Sequence, residues 1–156
     1  MEGKKELDGK SMATIQKSIE QKGIEGEQYV SRELRDMGYF VVNKGQQKKS
    51  EDLECENPET KEEFYVQVKY KEPRKHYPDT GFEKWRYENY LKLNEKLKLL
   101  VLFTDNSGAI YGDWIDNLSI EKGHGNTWNS EENCEMVYWW VKNLKDLREL
   151  LPNLNL

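Results

Sequence analysis

Two alternating segments flank a short turn, and the spacing between them leaves one register. From Asp52 to Glu56 the apolar side chains are Leu53 and Cys55, and from Glu63 to Tyr70 they are Phe64, Val66, Val68 and Tyr70. A period of two marks a strand with one buried face. Asn57-Pro58-Glu59-Thr60 between them is turn chemistry. Asp52 and Gln67 are fifteen positions apart, so their midpoint lies between Glu59 and Thr60, inside that turn. A hairpin centred there sets Leu53 opposite Val66, Cys55 opposite Phe64 and Asp52 opposite Gln67. Lys69 shares the face of Gln67, roughly 7 Å further along the strand.

The rest of the chain reads as elements packed around this hairpin. Ile24, Glu27, Val30, Leu34 and Met37 recur at helical spacing, which predicts a helix over about Ile24–Met37 stopped by Gly38. Tyr39–Asn43 reads as a strand and Gly45–Ser50 as a polar loop. Lys71–Thr80, with two prolines, reads as a loop, and Phe82–Leu97 as a second helix. Leu99–Phe103 (LLVLF) is a continuous apolar run, expected of a strand covered on both faces. Ala109–Ile115 reads as a further strand, Asp116–Glu135 as mostly loop, Met136–Val141 as a late strand, and Asn143–Leu151 as a closing helix stopped by Pro152. The fold class is α/β, a mixed sheet flanked by helices.

A length of 156 residues fits one domain. Residues 1–22 read as a charged tail with a possible leading helix, and residues 23–156 as the domain. The chain is polar, 36% hydrophobic against 34% charged, yet five Trp, nine Tyr and four Phe supply core-filling side chains. Net charge is −5, which argues against a passive coat for polyanions, since such a coat is basic. It says little against an enzyme that keeps carboxylates for a cation. Cys55 and Cys134 have no Cys or His at metal-ligand spacing and read as small hydrophobes. No apolar run approaches the ~20 residues that span a bilayer, and no signal-peptide region opens the chain, so a cytoplasmic protein is expected.

Asp52, Gln67 and Lys69 form the constellation that carries chemistry. Asp52 offers carboxylate oxygens to a hard divalent cation, and Gln67 a neutral carbonyl oxygen. Lys69 offers positive charge to a pentacovalent phosphate or to the attacking water. Glu27, a charge on an apolar helical face, either reaches that cation or complements the helix dipole from the first turn. Taken alone, polar residues on a hairpin face are ordinary and a D…QxK pattern arises by chance. The order of surrounding elements is what gives them meaning.

With GIEGEQYV on the first helix, SEDLEC entering the hairpin, FYVQVKY on its second strand and LLVLFTD after the next helix, the chain resembles the PD-(D/E)XK nuclease superfamily over about Gly23–Asp105. The resemblance implies an αβββαβ restriction-endonuclease-like core, with residues 106–156 as a C-terminal α/β extension. It implies that Asp52 is the motif acid, that Gln67 and Lys69 are the (D/E/Q)xK pair, and that Glu27 is the first-helix Glu. Glu51 stands where the motif has Pro. Gln67 replaces the usual acid, as in Mrr-like restriction enzymes and some homing endonucleases. The implied activity is Mg²⁺-dependent hydrolysis of DNA, with Mn²⁺ as substitute and Asp52, Gln67 and Glu27 as ligands. The alternatives are a non-catalytic nucleic-acid-binding or assembly module on the same fold, and a nuclease acting on RNA.

Lys44, Lys48, Lys49, Lys71, Arg74, Lys75, Lys84 and Arg86 lie near the expected site and read either as phosphate contacts or as solvated surface. Tyr138, Trp139 and Trp140 read as core of a strand before they read as a stacking surface. His76 and His124 have no visible partners for catalysis. Cutting both strands of a duplex needs two sites, so a homodimer or higher symmetric oligomer is expected.

Overall fold

The computed structural model describes residues 21–44, 51–72, 79–120, 126–129 and 133–155. Helix α1 occupies residues 21–36, and its stripe is the one its periodicity requires: Val30, Leu34 and Met37 are buried, Ile24 and Glu27 half-buried. Gly38 ends it at φ +101°, a conformation that L side chains rarely adopt. Its amide bonds the Arg35 carbonyl at 2.9 Å, and the Tyr39 amide reaches Leu34 at 3.1 Å.

Strand β1 (Phe40–Asn43) follows, then β2 (Leu53–Glu56) and β3 (Glu63–Tyr70). The hairpin register is the one expected from the midpoint: Leu53 faces Val66 and Cys55 faces Phe64. Asn57 organises the turn, its Oδ1 accepting from the amides of Glu59 at 2.9 Å and Thr60 at 3.2 Å. Strand β4 (Asp79–Glu83) leads directly into helix α2 (Lys84–Lys96), and β5 (Leu99–Thr104) returns parallel to β3. Strands β6 (Ile110–Trp114) and β9 (Lys145–Asp146) complete a six-stranded mixed sheet ordered β1-β2-β3-β5-β6-β9. Strands β7 (Asn126–Asn129) and β8 (Cys134–Trp140) join β4 in a second sheet ordered β4-β8-β7.

The main sheet has a core on each face. Side chains of α1, the hairpin and the short C-terminal helix α3 (Leu147–Leu150) form one, with Leu34, Leu53, Phe64, Val66, Leu100 and Leu102 at its centre. The other joins α2 to the second sheet through Phe82, Tyr90, Leu99, Phe103, Val137 and Trp139. β5 lies between the two and sends alternate residues to each. That is why LLVLF is apolar throughout, and all six residues of the strand are buried.

Three expectations are corrected. Asp79–Glu83, read as loop and helix start, is a fully buried strand. Its Asp and Gly look like turn residues, and what makes it a strand is its distant partner β8. Residues 126–129, within the span read as mostly loop, form β7. The closing helix does not begin at Asn143: a 3₁₀ turn (Val141–Asn143) and β9 precede it. Asp146 caps α3 in a reciprocal box with Glu149, and this sets the later start.

Gly81 shows how tightly β4 and β8 approach. A Cβ there would stand 1.8 Å from the Val137 carbonyl oxygen, with no flexible side chain to yield. Gly81→Ala should therefore lower stability by about 1–3 kcal/mol, read as a shift of the urea midpoint at constant slope. An unchanged midpoint would show that the two strands do not pair this closely.

Candidate active site

Leu53 and Val66 point into the α1 core, so Gln67 and Lys69, alternating with Val66 and Val68 along β3, turn to the face shared with α2 and the second sheet. Asp52 lies just before β2, at the open end of the hairpin. Asp52 and Gln67 are both buried. Asp52 Oδ2 accepts the Val68 amide and the Gln67 side-chain amide, each at 2.9 Å. Because a carboxylate only accepts, this contact orients the Gln67 amide, with Nε2 toward Asp52 and Oε1 away. Gln67 Oε1 is buried and has no hydrogen-bond partner among the described residues. A buried polar atom left so is uncommon and calls for an occupant.

Lys69 stands on the same face, two residues on. Its ammonium lies 5.3 Å from the centre of the Tyr90 ring and 5.9 Å from that of Phe82. Burial pushes its pKa down to about 8, with the nearby Arg86 charge adding to the fall, while Glu83 and Asp52 oppose it. The ammonium therefore stays protonated at neutral pH. Glu83 is itself buried and ion-paired with Arg86.

Glu27 enters from α1. The helix is already formed at residue 21, so Glu27 is more than one turn in. The first-turn dipole reading therefore fails. Its carboxyl is pushed up to about 7, first by burial, then by the charge of Asp52 and a hydrogen bond with it. Burial also raises Asp52, against the pull of the Val68 amide, Lys69, the Gln67 amide and Arg86. Two carboxylates held together and partly desolvated favour a shared proton or a cation between them. Among the described residues no group of three His, Cys, Asp or Glu converges on one point. A cation here would complete its protein ligands with an amide oxygen, and Gln67 Oε1 is the unmatched one.

The expected basic residues divide. Lys48, Lys49, Arg74 and Lys75 lie outside the described residues, as do His76 and His124. Lys44 and Lys71 are half-buried. Lys84 pairs with Glu135 at 3.1 Å. Arg86, beside Asp52 and Lys69 electrostatically, also lies 4.4 Å from the centre of the Trp85 ring. Trp139 is core, its indole donating to the Ser119 carbonyl at 3.1 Å, and Tyr138 and Trp140 are half-buried. Cys55 is buried as expected, and burial drives its thiol up to about 12. No helix among the described residues is long and apolar enough to cross a membrane.

Sequence reasoning missed the surroundings of Lys69. Phe82 and Glu83 belong to the strand read as loop or helix start, and Tyr90 lies within the second helix, where nothing in the sequence singles it out.

No protein-family model matches the chain, and no curated protein sequence does. Among solved structures the chain is similar to Hjc, a Holliday junction resolvase from the archaeal hyperthermophile Archaeoglobus fulgidus. The TM-score is 0.61 at 10% identity, over 82% of this chain and 93% of that one. At this identity the likeness is one of fold. The mixed sheet flanked by helices is a resolvase-type, restriction-endonuclease-like arrangement.

Proposed function

We propose that this chain is a metal-dependent nuclease of the PD-(D/E)XK superfamily that hydrolyses phosphodiester bonds of DNA. One observation carries the reading: a buried carboxylate, Asp52, locks the Gln67 amide so that an oxygen unpartnered among the described residues remains on the face that carries half-buried Lys69. A carboxylate and an unmatched amide oxygen each cost stability when buried without a function. The fold supports the superfamily, and a structural neighbour named for Holliday junctions supports DNA as the substrate.

Asp52, Gln67 and Glu27 are the residues that would hold Mg²⁺, with Mn²⁺ as substitute; their all-oxygen set suits a hard cation. When bound, the ion would supply Lewis-acid polarisation of the phosphate and a water acidified near neutral pH. The protein's own residues do the rest. Asp52 holds Gln67 in orientation through Nε2. Lys69, pinned against Phe82 and Tyr90, presents fixed positive charge where negative charge grows on the phosphate. Two copies of the chain would supply the two sites that cutting a duplex requires.

Supercoiled plasmid should be nicked or linearised with Mg²⁺ or Mn²⁺, and left intact with excess chelator. Full cleavage by a clean preparation in chelator would overturn the metal assignment. Binding without cleavage under all metals would instead favour a non-catalytic module. Parallel RNA substrates test the choice of nucleic acid.

A further inference from the structure

Trp85 is 48% exposed, yet its ring is not loose on the surface. It lies in the first turn of α2, and the Arg86 guanidinium is 4.4 Å from the ring centre. That guanidinium is fixed from below by its ion pair with buried Glu83. Glu83 follows Phe82, whose ring centre is 5.9 Å from the Lys69 ammonium, so the Trp85–Arg86 pair stands at the margin of the candidate active site. The positions one helical turn on from Trp85, Glu88 and Asn89, are exposed and polar, as is Lys92 beyond them. A protein-binding patch would join the indole to further apolar surface. A planar ring whose described helical neighbours are polar, backed by a cation, matches instead the size and chemistry of one nucleobase with its phosphate.

We propose that Trp85, braced by Arg86, is a stacking platform for an unpaired base next to the cleaved phosphate. The inference rests on the nuclease reading and narrows its substrate to nucleic acid with a single-stranded or unstacked base at the site. A base inside a continuous duplex has both faces covered by its neighbours and offers none to the indole.

The test uses the full chain in chelator, so that nothing is cut, with a fluorescein-labelled oligothymidine strand and a blunt duplex of equal length. Trp85→Ala should weaken single-strand binding roughly tenfold or more, with a clearly smaller effect on the duplex. Trp85→Phe, which keeps an aromatic face, should retain most of the affinity. Unchanged single-strand binding in Trp85→Ala, or equal loss on both probes, would overturn the platform. So would a parent that binds neither probe, or a Trp85→Ala variant that changes only the sedimentation coefficient, since that would mark a protein interface. Cleavage with Mg²⁺ separates the two readings. If Trp85→Ala alters nothing while plasmid is still cut, the platform alone fails. If no metal supports cleavage while Trp85-dependent binding persists, the nuclease reading fails and the stacking site stands.

Discussion

Lys69→Ala is expected to reduce plasmid cleavage by about 10²–10³-fold while leaving DNA binding in chelator nearly unchanged. The ammonium faces the rings of Phe82 and Tyr90, at 5.9 Å and 5.3 Å from their centres. Fixed charge that needs no reorganisation acts on the transition state, so its loss falls on turnover. Stability should move the other way. The folded pKa is lowered from 10.5 to about 8, so the native state binds this proton less tightly than the unfolded chain does. Below pH 8 the charged lysine therefore weakens the fold, and the penalty is relieved as pH rises from 8 toward 10.5. Lys69→Met keeps an unbranched stem between the rings and removes the charge. At pH 7 it should melt at or above the parent temperature and fail to cut. A Lys69→Met protein that melts well below the parent would make the lysine a structural element. A Lys69→Ala protein that cuts at parental rates would remove it from the site.

How much of the fold is legible in the chain depends on where each strand's partner lies. The hairpin β2–β3 is legible to the residue, because its pairing is local and its turn is marked by Asn57 and Pro58. β5 is legible because an unbroken apolar run of strand length, bounded by polar residues, suits a strand buried on both faces. Gln67 and Lys69 share a face for the same reason as the hairpin, since alternation assigns it once the register is set, and Asp52, just before β2, joins them through its hydrogen bonds to Gln67 and Val68. β4 is not legible. Asp79 and Gly81 look like turn chemistry, and they lie in a strand only because Trp140 and Tyr138 stand opposite them, far away in the chain. With β4 hidden, Phe82 and Glu83 cannot be placed beside Lys69, so its aromatic seat is hidden too. Glu27 lies between these cases. Its helical face is visible in the sequence, but the dipole reading falls only because the helix is under way by residue 21.

Asp52→Asn is expected to abolish cleavage, by at least about 10³-fold, since loss of a cation forfeits several kcal/mol of transition-state stabilisation. The substitution is nearly isosteric, so its consequences can be followed atom by atom. With the Asn side-chain oxygen in the place of Oδ2, the amides of Val68 and Gln67 keep their acceptor, each now 2.9 Å from Oδ2. The new NH₂ group then replaces Oδ1, which presents a donor where a cation needs an acceptor. The fold should not suffer. Burial raises the Asp52 pKa, so the native state holds this proton more tightly than the unfolded chain. Stability due to Asp52 therefore falls as pH climbs from the ordinary carboxylate value through the raised one, because the charged form is the one that burial penalises. Asn removes that charge, and the partial relief extends to Glu27, whose own rise owes part of its size to Asp52. Without metal the variant should melt at or above the parent. With Mn²⁺ the parent should gain melting temperature, because an ion that binds only the folded state stabilises it by mass action, and the variant should gain almost none. Calorimetric titration with Mn²⁺ should show the same contrast. If Asp52→Asn responds to Mn²⁺ as the parent does, the cation is held elsewhere, and the oxygen of Gln67 must have another occupant.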